Sequence, residues 1–268
     1  MTTDVNEVFV ALIGAEGRMG GELLANAAQM ADITIDQAVV RPGSAAVGSE
    51  LGPDGVMATD DMDTAVENAD VVVDFSTPEA CLKAAELAAK HQTPFVSGTT
   101  GLDEVQVAEL KGRSSDVALL WAANFSVGIN AIERLVELGV RALGDGFDIE
   151  ILEAHHRNKV DAPSGTAHFL AEAAARGRDL QLDENAVYSR YGNTGERTDD
   201  EIGFQVVRGG DIVGEHTVFL CGNGERVELT HRASDRGIFA RGALRAAGWL
   251  AGRKPGLYSM KDVLFGSS

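Results

Sequence analysis

Only two cysteines, Cys81 and Cys221, and only six lysines among 23 basic residues occur in the chain. Two thiols so far apart make no disulfide framework, which fits a reducing cytoplasm. The scarcity of lysine goes with 41 acidic residues and a net charge of −18. That balance leaves no basic footprint and argues against nucleic-acid and anionic-membrane partners. An acidic, lysine-poor surface also suits high salt, where screening removes self-repulsion. No apolar run approaches the ~18–20 residues that span a membrane. The start, Met1 to Glu7, is acidic and lacks the basic segment of a signal peptide. Internal repeats and low-complexity segments are missing too. What remains is a chain of 268 residues, 44% apolar, long enough for a real core and for two domains or one with an insertion. The acidic runs Asp60–Asp63 and Asp199–Glu201 read as solvated faces.

Val8 to Ile13 is a short, wholly apolar run, as expected of a central parallel strand. Gly14-Ala-Glu-Gly17-Arg-Met-Gly20 follows at once, and a helix after it. Strand, glycine turn and helix form the context of a dinucleotide-binding turn, where backbone amides approach a pyrophosphate. The spacing is Gly-x-x-Gly-x-x-Gly, less specific than the commoner Gly-x-Gly-x-x-Gly. The next strand, Ile33 to Val40, should end at the adenine ribose. A NAD site usually has an acid there; this chain has Val40 and then Arg41. Arg41 suits a 2′-phosphate, and from position alone it is equally a solvent-facing loop residue. Further buried strands are expected at Val71–Phe75, Pro94–Gly98 and Ala118–Ala123, with tips lining one crevice at their carboxyl ends.

Past an amphipathic helix, Val127 to about Leu143, a strand from Phe147 to Ala154 runs into Glu153-Ala-His-His-Arg-Asn-Lys-Val-Asp-Ala-Pro-Ser-Gly-Thr166. The spacing predicts a helix beginning at Pro163, capped by Ala162 or Asp161, and ending near Gly177. The amides of Ser164, Gly165 and Thr166 would then be free helix N-terminal donors, suited to a carboxylate or phosphate. His155, His156 and Lys159 converge beside that cradle, a pattern for a dianionic substrate that needs a proton. Adjacent histidines rarely ligate one ion, and no Cys, Asp or Glu sits at ligand spacing from both, so no metal is expected. Strands Ile202–Arg208, Ile212–Cys221 and Arg226–Ser234 should follow, joined by hairpins at Gly209–Asp211 and Gly222–Gly224. A last helix, Gly237 to Ala251, should pack back on the first domain.

These pieces resemble the dihydrodipicolinate reductase family over nearly the whole chain. The resemblance rests on Gly14–Gly20, Asp74-Phe75, Gly98–Gly101, Ala122–Gly128, the Glu153–Thr166 block and Gly209–His216. It implies an α/β Rossmann-type doubly wound nucleotide domain (1–126 and 236–268). An α+β substrate and oligomerisation domain with an open mixed sheet (127–235) would be joined to it by hinges near Ser126 and Arg236. It implies reduction of a cyclic dicarboxylate by NADPH or NADH in lysine and diaminopimelate synthesis, in a cytoplasmic homotetramer. Gly14, Ala15, Glu16, Gly17, Arg18 and Met19 would hold the pyrophosphate. Gly98, Thr99 and Thr100, with Ala122, Ala123, Asn124 and Phe125, would position the nicotinamide side. His155 would be the proton donor and Lys159 the second donor; His156, Ser164, Gly165 and Thr166 would bind substrate. Val40 and Thr77 depart from the common pattern, which leaves Arg41 as the cofactor discriminator. Two other readings are a different two-domain dehydrogenase, which leaves the His-His-Lys cluster unexplained, and a nucleotide sensor, which would tolerate loss of His155 and Lys159.

Overall fold

The computed structural model describes residues 7–266; the acidic start weighed above, 1–6, lies outside the described residues. The chain divides into two compact units, Met1–Val127 with Gly237–Ser268, and Gly128–Arg236.

In the first unit the chain runs through β1 (Val8–Ile13), α1 (Arg18–Ala27), β2 (Ile33–Val39), β3 (Glu50–Leu51), β4 (Val56–Thr59) and α2 (Met62–Glu67). It continues through β5 (Val71–Asp74), α3 (Pro78–His91), β6 (Phe95–Ser97), α4 (Glu104–Gly112) and β7 (Ala118–Trp121). In the second unit α5 (Val127–Leu143) is followed by β8 (Asp148–His155), α6 (Gly165–Gly177), α7 (Leu182–Asn185), β9 (Ala186–Val187), β10 (Ile202–Arg208), β11 (Gly214–Gly222) and β12 (Glu225–Ala233). The chain then returns as α8 (Gly237–Leu250), β13 (Gly256–Tyr258) and α9 (Met260–Phe265).

The first unit's sheet has the order β13-β7-β6-β5-β1-β2-β4-β3, parallel throughout except for the β3–β4 pair. Its central strands, β6, β5 and β1, are mostly apolar because both faces are covered, with polar residues only at the ends of β5 and β6, Asp74 and Ser97. Val10 and Leu12 of β1 face a core made with α1, α8 and α9, while Ala11 and Ile13 face α2, α3 and α4. From β1 the chain builds outward to β2 on one side and to β5 on the other. That reversal of direction leaves a crevice beyond the strand ends, where doubly wound sheets bind ligands.

Asp60–Asp63 is not merely a solvated face. Asp61 caps α2 by accepting from Thr64 N at 3.1 Å, and Asp63 binds Lys90 Nζ at 2.9 Å. Glu201 of the other acidic run pairs with Arg190 at 2.8 Å.

The second unit's sheet has the order β12-β11-β8-β10-β9. The expected hairpin at Gly209–Asp211 does not form. β10 and β11 lie on opposite sides of β8, one parallel and one antiparallel to it, so the link between them crosses the end of β8. Gly209 N donates to His155 O at 3.0 Å and Arg157 N to Gly210 O at 3.2 Å, which seats that crossing over the strand's carboxyl end. The second hairpin, β11 to β12 through Gly222–Gly224, does form. Helix α6 starts two residues later than expected. Ser164, not Ala162 or Asp161, is the cap: its Oγ accepts from Ala167 N at 3.2 Å, a bond that neither predicted cap position supplies.

Candidate active site

One face of the second sheet is apolar for most of its length. Ile149 and Ile151 of β8, Ile202 and Phe204 of β10, and Val218 and Leu220 of β11 pack there against α5 and α6. Period-two alternation carries the same face on to Glu153 and His155, to Arg208, and to His216. Register brings them together, since Arg208 lies opposite His155 and His216 opposite Glu153. The core face therefore turns polar at one end, directly beneath the crossing loop.

Glu153 is the centre of that end and is 0% exposed. Its Oε2 lies 2.7 Å from His155 Nδ1. Arg208 grips both carboxylate oxygens, Nη1 to Oε2 at 2.6 Å and Nη2 to Oε1 at 2.7 Å, and Ser164 N donates to Oε1 at 3.0 Å. Burial by itself would push the Glu153 carboxyl up. Arg208, His155 and the Ser164 amide together outweigh it and hold the group below its usual range. Ser164 is thus no free helix-end donor, because its amide serves Glu153 and its hydroxyl lies 3.0 Å from His216 Nε2. Gly165 and Thr166 are the first two residues of the helix, at its amino end.

The carboxylate at Nδ1 makes that nitrogen of His155 the N–H donor and leaves Nε2 as the other ring nitrogen. Burial lowers the pKa of His155 below its usual 6.5 and outweighs the opposing pull of Glu153; Lys159 and Arg208 lower it further. A Cβ on Gly214 would stand 3.1 Å from His155 Nε2, so a glycine there keeps the nitrogen's approach open. Lys159 ends in an ion pair with Asp161 at 2.8 Å, and Arg208 Nη2 donates to Asp161 O at 2.7 Å, tying that loop to the same guanidinium. His156 is half-buried, and its Nδ1 has no partner among the described residues.

His216, edge-on to His155 with ring centroids 5.1 Å apart, is buried and has its pKa pushed down to about 3, by burial first and by His155 second. The unfolded chain would protonate this ring near its ordinary pKa of 6.5. Between there and about 3 the unfolded state binds more protons than the folded one, and stability falls as pH falls. From about pH 6.5 to about pH 4.5, above the carboxylate range, the wild type is expected to lose about 2–3 kcal/mol more than His216→Gln in urea unfolding. Equal losses in the two proteins would show that His216 carries no such linkage.

In the first unit, the ends of β1 and β2 and the start of α3 surround a cavity of about 680 Å³ lined by Gly14, Glu16, Gly17, Val40 and Arg41, with Phe75 and Thr77 opposite. Gly14 has φ +86°, and a Cβ there would sit 2.5 Å from Phe75 O, so both conformation and contact require glycine. No side chain caps α1, whose first residues are Arg18 and Met19. Ala15 is buried in the core. Thr77 caps α3 by accepting from Ala80 N at 3.4 Å.

A buried carboxylate that sequence reasoning gave no role organises the neighbouring strand tips. Asp74 accepts from Ser97 Oγ and Thr99 Oγ1, each at 2.7 Å, and from Ser76 Oγ. Burial raises its pKa against those hydrogen bonds. The network fixes the turn Gly98–Thr100 and commits the Thr99 hydroxyl to the protein. Trp121 Nε1 donates to Thr99 O at 3.0 Å and Ala122 N to Ser97 O at 3.1 Å, which joins the next tip, Ala122 to Phe125. Asn124 Oδ1 accepts from Ser126 N at 2.8 Å, while the Phe125 ring is buried against Phe75 in the core and offers a ligand only its backbone.

Glu153, Arg208 and His216 were the residues missed as members of the site. Glu153 was legible in principle, since two positions before His155 on a strand means the same face.

Family models described as dihydrodipicolinate reductase, N-terminus and C-terminus, match residues 8–125 and 128–264. A protein named 4-hydroxy-tetrahydrodipicolinate reductase from Thiobacillus denitrificans is 50% identical over 96% of this chain and 98% of its own length. Its namesake from Alkalilimnicola ehrlichii is 49% identical over 95% and 98%. Among solved structures, dipicolinate-bound dihydrodipicolinate reductase from Paenisporosarcina sp. TG-14 aligns with a TM-score of 0.76 at 21% identity, over 94% of this chain and 97% of that one. GenD2 from gentamicin A biosynthesis, in complex with NAD, aligns at 0.60 and 15% identity over 98% and 92%, a likeness of fold.

Proposed function

The chain belongs to the dihydrodipicolinate reductase family, and on that premise we propose how its own residues divide the work. The reaction is the reduction of 4-hydroxy-tetrahydrodipicolinate by NADH or NADPH in lysine and diaminopimelate synthesis. The reduced nicotinamide, when bound, supplies the hydride. Every other task falls to the protein.

The open glycine turn, the uncapped amino end of α1 and the adjoining cavity fit a dinucleotide, with Gly14–Met19 about the pyrophosphate and Arg41 near the adenosine ribose. The turn Gly98–Thr100, braced by Asp74, and the tip Ala122–Phe125 hold the nicotinamide side. The amino end of α6 at Gly165 and Thr166, with His156, binds the substrate's carboxylates. His155 gives the proton that quenches the charge left by reduction, with Lys159 as the second donor.

The observation carrying this reading is the buried Glu153–His155 pair, with Arg208 behind it and His155 Nε2 facing the space left by Gly214. In the free protein burial favours the neutral ring. Two substrate carboxylates nearby would favour the imidazolium, so the donor acquires its proton when the substrate's charge arrives. We place the enzyme in the cytoplasm, as a homotetramer formed through the second unit's sheet, where Val207 and Val227 are exposed.

The test is the pH dependence of kcat/KM, followed by nucleotide oxidation with enzymatically generated substrate. The profile is expected to fall as pH rises through a pKa below about 6.5, the ordinary histidine value. A single fall in the ammonium range, near about pH 10, would give the proton to a lysine instead.

A further inference from the structure

The inference rests on the nucleotide reading of the first unit and adds the residue that chooses between the two nucleotides. NAD sites of this fold read the adenosine ribose through an acid at the end of the second strand. Here that place is held by Val39 and Val40, both buried and apolar. The cavity nevertheless contains a carboxylate at the corresponding end, supplied by the glycine turn. Glu16 Oε1 accepts from Ser44 Oγ at 2.8 Å. Ser44 is itself buried and fixed, its amide on Arg41 O at 3.1 Å and its Oγ accepting from Ala46 N at 3.1 Å. The loop that carries Arg41 therefore also steers Glu16, and both side chains line one cavity with Val40. The other acid of the lining, Glu79, lies in the first turn of α3, where the helix's amino end stabilises its charge.

We propose that Glu16 is a specificity-determining residue that reads the 2′ position of the adenosine ribose. Ser44 occupies Oε1, and Oε2 is left to accept from a ribose hydroxyl. The same charge repels a 2′-phosphate that Arg41 attracts. With opposite charges at one end of the cavity, the protein binds NADH and NADPH with little discrimination, and loss of Glu16 releases the preference that Arg41 would otherwise impose.

The experiment is equilibrium binding of NADH and of NADPH to the full-length protein by nicotinamide fluorescence, without substrate, for wild type and Glu16→Gln. The exposed position of Glu16 makes a folding defect an unsuitable explanation for any change. Glu16→Gln should move the ratio of the two Kd values by about tenfold toward NADPH, through a lost charged hydrogen bond on one side and a lost repulsion on the other. Ser44→Ala should move it the same way by a smaller factor. A Glu16→Gln ratio within about threefold of wild type overturns the inference. Failure of the wild type to bind either nucleotide would instead remove the nucleotide reading itself, and this inference with it.

Discussion

Replacing His155 with glutamine is expected to lower kcat by about two to four orders of magnitude while leaving the Kd of NADH and NADPH unchanged. The side chain is chosen so that the network survives. A glutamine amide can still donate to Glu153, whose two oxygens remain engaged by Arg208 and, at Oε1, by Ser164 N. What it cannot do is give up a proton from the position that His155 Nε2 now holds. The split between turnover and cofactor affinity follows from placement, because the cavity proposed for the nucleotide is lined by residues of the first unit and His155 lies at the end of β8 in the second. Single-turnover rates with pre-bound nucleotide measure the chemical step directly. A rate within about threefold of wild type would take the proton away from His155.

How much of this was legible in the sequence depended on the range of the interactions. The central strands of the first sheet announced themselves by apolar runs, Val8 to Ile13 and Val71 to Val73, most of whose residues are buried. The pair β3 and β4, the helix α2 and the edge strand β13 were not read, since two to six residues show no usable period. The link at Gly209-Gly210 was read as a hairpin because two glycines between β runs look alike whether or not a third strand lies between them. β8, far back in the chain, is that third strand.

The site follows the same division. His155, His156, Lys159 and the Ser164–Thr166 helix start are close in sequence and stood out. Their partners Arg208 and His216 come from strands whose register no local pattern specifies. The Ser164 amide was read as free for the same reason, since its acceptor is the Glu153 carboxylate and not the helix that follows.

Glu153→Ala is expected to cost about 3–5 kcal/mol of folding stability, because it strands the groups that the carboxylate now satisfies. The guanidinium of Arg208 would lose its bidentate partner, and His155 Nδ1 and the Ser164 amide their acceptor. That loss is a large share of the roughly 5–15 kcal/mol a folded domain has in hand. Glu153→Gln separates stability from function. Its carbonyl oxygen can accept from Ser164 N and one arm of Arg208, so the expected loss is nearer about 1–3 kcal/mol. Its amide N–H₂ would face His155 Nδ1, however, and force the ring to the tautomer with the hydrogen on Nε2. Without the carboxylate that stabilises the imidazolium, kcat should fall by about 10²–10⁴ even where the fold is intact. The carboxylate's depressed pKa adds a pH signature. Its contribution is fully present above the ordinary value of 4.5 and is lost as pH falls through the lower folded-state pKa, so the wild-type advantage over Glu153→Gln should begin to narrow below 4.5 and stop narrowing once that lower pKa is passed. Urea unfolding at neutral pH and on the acid side, read beside kcat, measures all three. A Glu153→Ala protein as stable as wild type would mean that the polar end of the β8 face is held by something other than this carboxylate.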